Sequence, residues 1–333
     1  MDFRPSQEQN DLKDGIANFC ASRCSVVELR RIDEAGGFDL ALWRDLADLG
    51  VFQLMVAEAN QGLGLGVADA VLVFEALGER LVPGPLVFTQ LAAGLIDGAM
   101  SGECVVGGLD LESNRQTPHL IEYKEQLDAL LLLRDDGVYR VDPSALRGSS
   151  TLSLDPLTPV FHAEALPEGD KIADADRARR LRLEGMSLVA AELLGITEAT
   201  LEIALAYAKE REQFGRVIGA FQAIKHLLAD MFARQELVRA SVYAAGATLD
   251  DPSVGDVEQA VRGARLLAAE AAVKNARTCI QIHGGMGYTW EVPDHYYLKR
   301  AMVLQNSFGE DRDHAAAIAE IVARVPLEIR YAG

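Results

Sequence analysis

Three long segments in the second half of the chain repeat apolar residues every three or four positions, and this periodicity makes a helical bundle the dominant architecture there. They are GMSLVAAELLGITEATLEIALAYAKE from Gly185, FQAIKHLLADMFARQELVRASVYAAGATL from Phe221 and VEQAVRGARLLAAEAAVKNARTCIQIHGG from Val257. Pro252 and Gly285 fall in the joints, and a shorter helix follows Asp311. Consecutive long helices with short joints run antiparallel, so residues 175–333 are expected to form a four-helix bundle. Their many Ala, Gly and Ser residues permit close packing, either within the chain or against another subunit.

The first hundred residues carry the same helical period, in DLKDGIANFC, LALWRDLADLGVFQL and VADAVLVFEALGERL. Ser6, followed by Glu8 and Gln9, is a helix start, and Gly50 and Gly78 sit where helices stop or turn. The glycine-rich stretch from Asn60 to Gly66 lacks the Gly-Lys-Ser/Thr ending of a phosphate loop and is expected to be a connector. Between the helical segments, residues 101–174 change character. ALLLL (129–133), VYRV (138–141) and PVFHAEAL (159–166) have strand composition, with a hairpin turn at Asp135-Asp136-Gly137. So short a unit predicts one small sheet rather than a closed barrel. The fold class is therefore mainly α with a small β middle unit: a helical domain over 1–100, a reduced β-rich domain over 101–174 and the bundle over 175–333.

A net charge of -18 opposes binding to a nucleic-acid backbone. Local arginines and helix N-termini can still hold a small phosphorylated ligand, so nucleotide cofactors stay open. Cys20, Cys24, Cys104 and Cys279 form no CxxC pair and no zinc-spaced cluster, which predicts no metal and a reduced, cytoplasmic setting. The N-terminus carries charges where an export signal needs an apolar core. The uncharged run Leu81–Ile96 contains Pro83 and Pro85 and falls short of the roughly 20 residues a membrane span requires, so no membrane association is expected.

Three motifs in the last third carry the chemistry: Arg211-Glu-Gln-Phe214-Gly215, Phe221-Gln222-Ala-Ile-Lys-His, and Gln281-Ile-His-Gly284-Gly285-Met-Gly287-Tyr288. A glycine-rich joint lets backbone approach a ligand and exposes N–H groups to phosphate or adenine edges. An arginine can make paired bonds to a pyrophosphate, with Phe214 offering an apolar face beside it. In order and spacing these motifs resemble the C-terminal domain of acyl-CoA dehydrogenases. Leu42-Trp-Arg-Asp-Leu-Ala-Asp-Leu-Gly50 and Phe74-Glu-Ala-Leu-Gly78, with Pro83-Gly-Pro85, resemble that family's first helical domain. The resemblance implies FAD as cofactor, with Arg211, Phe214, Gln222, Gln281, Gly284 and Gly285 holding the ADP half of a flavin bound mainly by the neighbouring subunit. His226 and His283 lie where the family varies and are expected to serve packing or polar contacts.

The family removes an α-proton from an acyl-CoA thioester with a glutamate and passes the β-hydrogen as hydride to the flavin; the base must work in a dry cavity. Aligning Leu298-Lys-Arg300 with the family's Leu-x-Arg puts Gly309 at the usual base position, one residue before Glu310. The alternative family location falls on Val238, beside Arg239, a candidate substrate contact. The middle domain also lacks the family's Thr/Ser-Glu-Pro-x-Ala-Gly-Ser and Trp-Ile-Thr/Ser segments, which hold and cover the flavin ring. The losses fall on the reacting side while the ADP side is kept. This pattern implies a subunit of a heterotetrameric acyl-CoA dehydrogenase, in which a larger partner subunit supplies the base and electrons pass to an electron-transfer flavoprotein. The alternatives are a homomeric dehydrogenase using Glu310 as its base, and a non-catalytic scaffold. The reduced middle domain implies an open cleft and a bulky acyl group, and the resemblance to small subunits of such heterotetramers implies a substrate such as a steroid side-chain acyl-CoA or a dicarboxylic acyl-CoA.

Overall fold

The structure is a computed structural model that describes residues 3–112 and 116–324; positions 325–333 of the expected bundle segment lie outside the described residues. The N-terminal helices are α1 (Gln7–Arg23), α2 (Val26–Glu34), α3 (Leu40–Asp48), α4 (Val67–Glu79) and α5 (Leu86–Ala92). Strands β1 (Val106–Asp110), β2 (His119–Glu122), β3 (Ala129–Arg134), β4 (Gly137–Val141), β5 (Arg147–Thr151), β6 (Val160–Ala165) and β7 (Asp170–Asp174) follow. Then come α6 (Ala175–Glu210), the two-residue strands β8 (Glu212–Gln213) and β9 (Arg216–Val217), α7 (Gln222–Asp250), α8 (Val257–His283), α9 (Asp294–Leu304) and α10 (Asp311–Arg324).

Ser6 starts α1 through a capping box: its hydroxyl accepts from the Gln9 N–H (3.2 Å), and the Gln9 side chain accepts from the Ser6 N–H (2.8 Å). The 60–66 stretch is a loop, and its last glycine has a specific use. Asp250, at the end of α7, accepts from the Val67 and Ala68 N–H groups at 2.9 and 2.8 Å, so a carboxylate of the chain itself fills the anion site at the start of α4. A Cβ on Gly66 would sit 2.3 Å from that carboxylate.

Gly78 is the last residue but one of α4, where that helix ends as expected and also crosses α6. A Cβ at Gly78 would meet the Glu192 carbonyl oxygen at 2.2 Å, and one at Gly195 would meet the Glu75 carbonyl oxygen at 2.1 Å. Two glycines facing each other bring the helix backbones together, so the main core is built on tight α4–α6 contact flanked by α7 and α8.

The middle unit corrects the expectation of a single sheet. It forms a four-stranded sheet in the order β1-β3-β4-β7 and a three-stranded sheet in the order β2-β6-β5. The β3–β4 hairpin turns where Asp135-Asp136-Gly137 indicated, and β3 is buried between β1, which runs parallel to it, and β4. The second sheet has little signature in the sequence beyond β6, because β5, Arg-Gly-Ser-Ser-Thr, is exposed throughout and carries no apolar alternation.

His314 on α10 is fully buried, and burial, with help from Arg265 and Arg262, pushes its imidazole down to about 4. A folded-state value below the ordinary 6.5 means the folded chain binds this proton more weakly than the unfolded chain. Stability is therefore intact above about 6.5 and is lost as pH falls toward about 4, by roughly 3 kcal/mol from this group alone. His314→Phe is expected to flatten the pH dependence of urea midpoints across that window; an unchanged slope would assign the acid sensitivity elsewhere.

Candidate functional site

The ends of α6 and α8 and the start of α7 meet at one end of the bundle. A small separate core of Leu201, Ala204, Ala208, Met231, Cys279 and Ile282 joins them, with Ile218 and Ile224 packed against it. This core places the Arg211 hairpin, Gln222 and the Gln281–Gly285 turn on the same end of the molecule. Arg211 follows the last residue of α6; its N–H donates to the Tyr207 carbonyl (2.8 Å), and its own carbonyl accepts from the Ile218 N–H (2.7 Å). Its exposed side chain makes no ion pair with any described residue.

Phe214 occupies the tip of the β8–β9 hairpin with φ 54°, and its ring is 92% exposed, edge-on to Phe221 at 6.2 Å. A bulky side chain held in left-handed backbone and turned to solvent is costly for an isolated chain. Gln222 and Gln281 are exposed at the first turn of α7 and the last turn of α8. Gly284 caps α8 with φ 60° and ψ -131°, a conformation glycine tolerates far better than other residues. Gly285 has no such need, and a Cβ there would meet nothing among the described residues within 4 Å. Glycine at 285 is thus not explained by the chain's own packing. Tyr288 is 85% exposed, and Trp290 packs edge-on against His295 at the start of α9.

Behind this turn lies a buried cluster. His283 Nδ1 stands 2.8 Å from Asp294 Oδ2 and 3.0 Å from the Cys279 carbonyl, and its ring stacks on Tyr207 at 4.1 Å. Burial pulls the imidazole down, but the Asp294 bond and the Cys279 carbonyl outweigh it and hold His283 above its ordinary value. The polar-contact role expected of His283 is thus met, whereas His226 is exposed.

Arg239 has a place of its own. It sits in a network with Lys13, Glu75 and Glu198 that joins α1, α4, α6 and α7: Lys13 to Glu75 is 2.9 Å, and Arg239 to Glu198 is 3.1 Å. Arg239 also pairs with Glu236, and the Tyr243 hydroxyl donates to Glu75 at 2.7 Å. The Arg239 guanidinium is engaged by carboxylates of its own chain.

A cavity of about 340 Å³ opens between the β unit and the segment after α9, lined by Phe88, Leu109, Glu122, Val160, His162 and Phe308. Phe308 has φ 59°, stacks on Phe88 at 5.1 Å, and fills space that glycine at 185 leaves on α6, where a Cβ would come within 2.3 Å of the ring. Gly309, at φ 116°, turns the chain, and Glu310 faces away: its side chain is 56% exposed, pairs with Arg312 at 3.1 Å and does not line this cavity. Val238 is buried on α7.

Two acids that the motifs did not single out border the inner end of this region. Glu122 lies between this cavity and a narrower one beside it, and Glu192 lines the narrower one. Burial pushes their carboxyls up to about 7 and about 8, against the pull of Arg300. Nothing in the local spacing marks them, because the strand and the helix that carry them meet only in the folded chain.

Long C-terminal helices, a short β unit and N-terminal helices, with an arginine hairpin and a glycine turn sharing one bundle end, define the acyl-CoA dehydrogenase class of fold. Residues 6–101 match the acyl-CoA dehydrogenase N-terminal domain and residues 181–323 its C-terminal domain; the chain belongs to the acyl-CoA dehydrogenase family. It is similar to acyl-CoA dehydrogenase IpdE2 of Mycolicibacterium smegmatis, at 31% identity over 314 residues, covering 92% of this chain and 96% of the relative. A chain of the ChsE4-ChsE5 complex from Mycobacterium tuberculosis shares the fold with a TM-score of 0.85 at 24% identity, covering 98% of this chain and 100% of that one. A variant of the Tcur3481-Tcur3483 steroid ACAD does so with a TM-score of 0.84 at 22% identity, covering 95% and 98%. Among the described residues no helix is long and apolar enough to cross a membrane.

Proposed function

We propose that this chain is a subunit of a heterotetrameric, FAD-dependent acyl-CoA dehydrogenase, gripping the nucleotide half of a flavin whose ring and catalytic base belong to a larger partner subunit. The observation that carries the reading is the bundle end. Arg211, Phe214, Gln222, Gln281 and Gly285 are exposed together, and Gly285 is a glycine the chain does not need for itself. These residues fit a dinucleotide: the guanidinium for the pyrophosphate, exposed backbone and amides for adenine or ribose edges, and aromatic surface to exclude water. When bound, FAD supplies the hydride acceptor for oxidation of an acyl-CoA at Cα–Cβ, and the electrons then leave to an electron-transfer flavoprotein. On the reacting side, Phe308 enters the cavity, Gly309 carries no side chain and Glu310 is solvated, so the usual carboxylate is not offered. The assemblies formed by ChsE4 with ChsE5 and by Tcur3481 with Tcur3483 support a two-chain enzyme.

Native mass spectrometry of the chain co-expressed with its partner is expected to give two copies of each subunit with one flavin per unlike pair, while the chain alone retains little FAD. A fully flavinylated homomer that oxidises acyl-CoA would overturn the proposal.

Glu122 favours a second reading, in which this chain performs the proton abstraction itself. A carboxyl beside a largely apolar cavity and shifted toward neutrality has the properties of a general base. Glu122→Gln separates the two: under the first reading turnover of the assembled enzyme stays within about threefold of wild type, and under the second it falls by about a hundredfold or more.

A further inference from the structure

We infer that His283, clamped between Tyr207 and Asp294, is the positioning residue that fixes the distance between the two arms of the nucleotide grip. The inference rests on the reading that this bundle end holds a flavin nucleotide.

The two arms come from different helices. One is the hairpin carrying Arg211 and Phe214; the other is the turn carrying Gln281, Gly284 and Gly285. Paired hydrogen bonds to a pyrophosphate demand that donors be held to within about half an ångström, so something must lock one arm to the other. His283 is the last residue of α8, directly before the glycine turn, and its ring lies flat on Tyr207, one helical turn before Arg211. The carbonyl of that same Tyr207 accepts the Arg211 N–H. The Tyr207–His283 stack is therefore a direct route from one arm to the other, lying beside the small core that joins α6 and α8.

The ring is fixed in turn from its other edge. The Cys279 carbonyl is the acceptor that Nδ1 faces at 3.0 Å, so Nδ1 carries a proton and donates there, while the Asp294 carboxylate, with Oδ2 2.8 Å from the same nitrogen, is held against it by charge. Asp294, the first residue of α9, is fully buried, and a buried carboxylate facing an imidazole is a poor way to gain stability compared with an apolar pair. What it provides is direction: it sets the tilt of the imidazole and ties α9 into the same joint. The glycine turn closes over this joint, since a Cβ on Gly287 would meet the Ile280 carbonyl oxygen at 2.8 Å and His283 Cβ at 3.2 Å. Cys279 Sγ, His283 and Asp294 present ligand-type atoms within 4.8 Å of one another, but Nδ1 is already committed as a donor, which favours a latch over a metal centre.

The test uses the co-expressed complex for FAD affinity, and hydrogen exchange of this chain for local order. His283→Phe keeps a ring on Tyr207 but drops the Asp294 contact; Asp294→Ala removes the group facing the ring; Asp294→Asn keeps an oxygen facing Nδ1. His283→Phe and Asp294→Ala are expected to weaken FAD binding by about tenfold or more and to speed exchange over 211–217 and 284–288 by a similar factor. Asp294→Asn is expected to stay within about threefold of wild type in both. If His283→Phe and Asp294→Ala match wild type, or if Asp294→Asn is as damaging as Asp294→Ala, the inference is wrong. Should a core variant fail to fold, Tyr207→Leu, at a half-buried position, must by itself loosen both arms; normal exchange in that variant also sinks the latch. Arg211→Ala serves as the control for the underlying reading. If it leaves FAD affinity unchanged, the nucleotide grip itself is misassigned; if it weakens binding while the latch variants do not, only the latch falls.

Discussion

Arg300→Ala is expected to cost about 3–5 kcal/mol of folding stability, a large share of the roughly 5–15 kcal/mol that a folded domain has in total. Arg300 Nε stands 2.5 Å from Asp155 Oδ2, and its Nη1 donates to the Val82 carbonyl at 3.1 Å. Asp155 is fully buried; it also accepts from the Thr158 hydroxyl (2.8 Å) and the Leu157 N–H (3.1 Å). One guanidinium thus joins α9, the loop before β6 and the turn after α4, and its removal strands a carboxylate away from water. Arg300→Met combined with Asp155→Asn removes both charges and is therefore expected to be less damaging than Arg300→Ala alone.

The pH dependence adds a second signature. Glu122 and Glu192 have folded-state values raised by burial above the ordinary carboxylate range, to about 7 and about 8. Groups raised in this way contribute stability at low pH that is lost as pH rises through those values. Arg300 moderates the shift, so without it the loss continues to higher pH and the deficit of Arg300→Ala widens above about 7. Guanidinium unfolding at two pH values measures both effects; a deficit below about 1 kcal/mol, or one that narrows with rising pH, would contradict this account.

The parts of this molecule that could be read from sequence are those whose causes are local. Ser6 and Gln9 sit three residues apart and cap α1 with each other, and the β3–β4 hairpin turns on Asp-Asp-Gly between two apolar runs. The long helices declare themselves because each must show an apolar stripe to its neighbours. What could not be read depends on residues distant in the chain. Asp250 caps α4 from 183 positions beyond Val67. Gly78 does lie at the end of α4, but the need for glycine there comes from Gly195 and Glu192 across from it. Arg239 stands beside an expected site position, yet Glu75 and Glu198 claim its charge. The candidate site divides along the same line: the motifs that carry Arg211 and Gly285 are contiguous, whereas Glu122, Glu192 and the Tyr207–His283–Asp294 stack are assembled by folding.

Arg211→Ala is expected to weaken FAD retention by the assembled complex by about 10- to 100-fold while leaving subunit assembly and folding stability unchanged. The magnitude follows from the bond type, since hydrogen bonds to charged groups contribute about 1.5–3 kcal/mol, and each 1.4 kcal/mol is a factor of ten in affinity. The absence of a folding cost follows from the structure: the Arg211 side chain is exposed and pairs with no described residue, and only its backbone is engaged, through Tyr207 and Ile218. Surface charges with no partner are ordinarily neutral when removed. A side chain whose loss harms ligand binding but not the fold is one held ready for something outside the chain. Arg211→Lys discriminates further, because an ammonium keeps the charge but not the planar pair of donors, and it should recover only part of the affinity. Flavin release measured by fluorescence during dilution of the complex reports both variants. Equal retention in wild type and Arg211→Ala would mean that the exposed hairpin faces no pyrophosphate, and the heteromeric reading would lose the contact on which it depends.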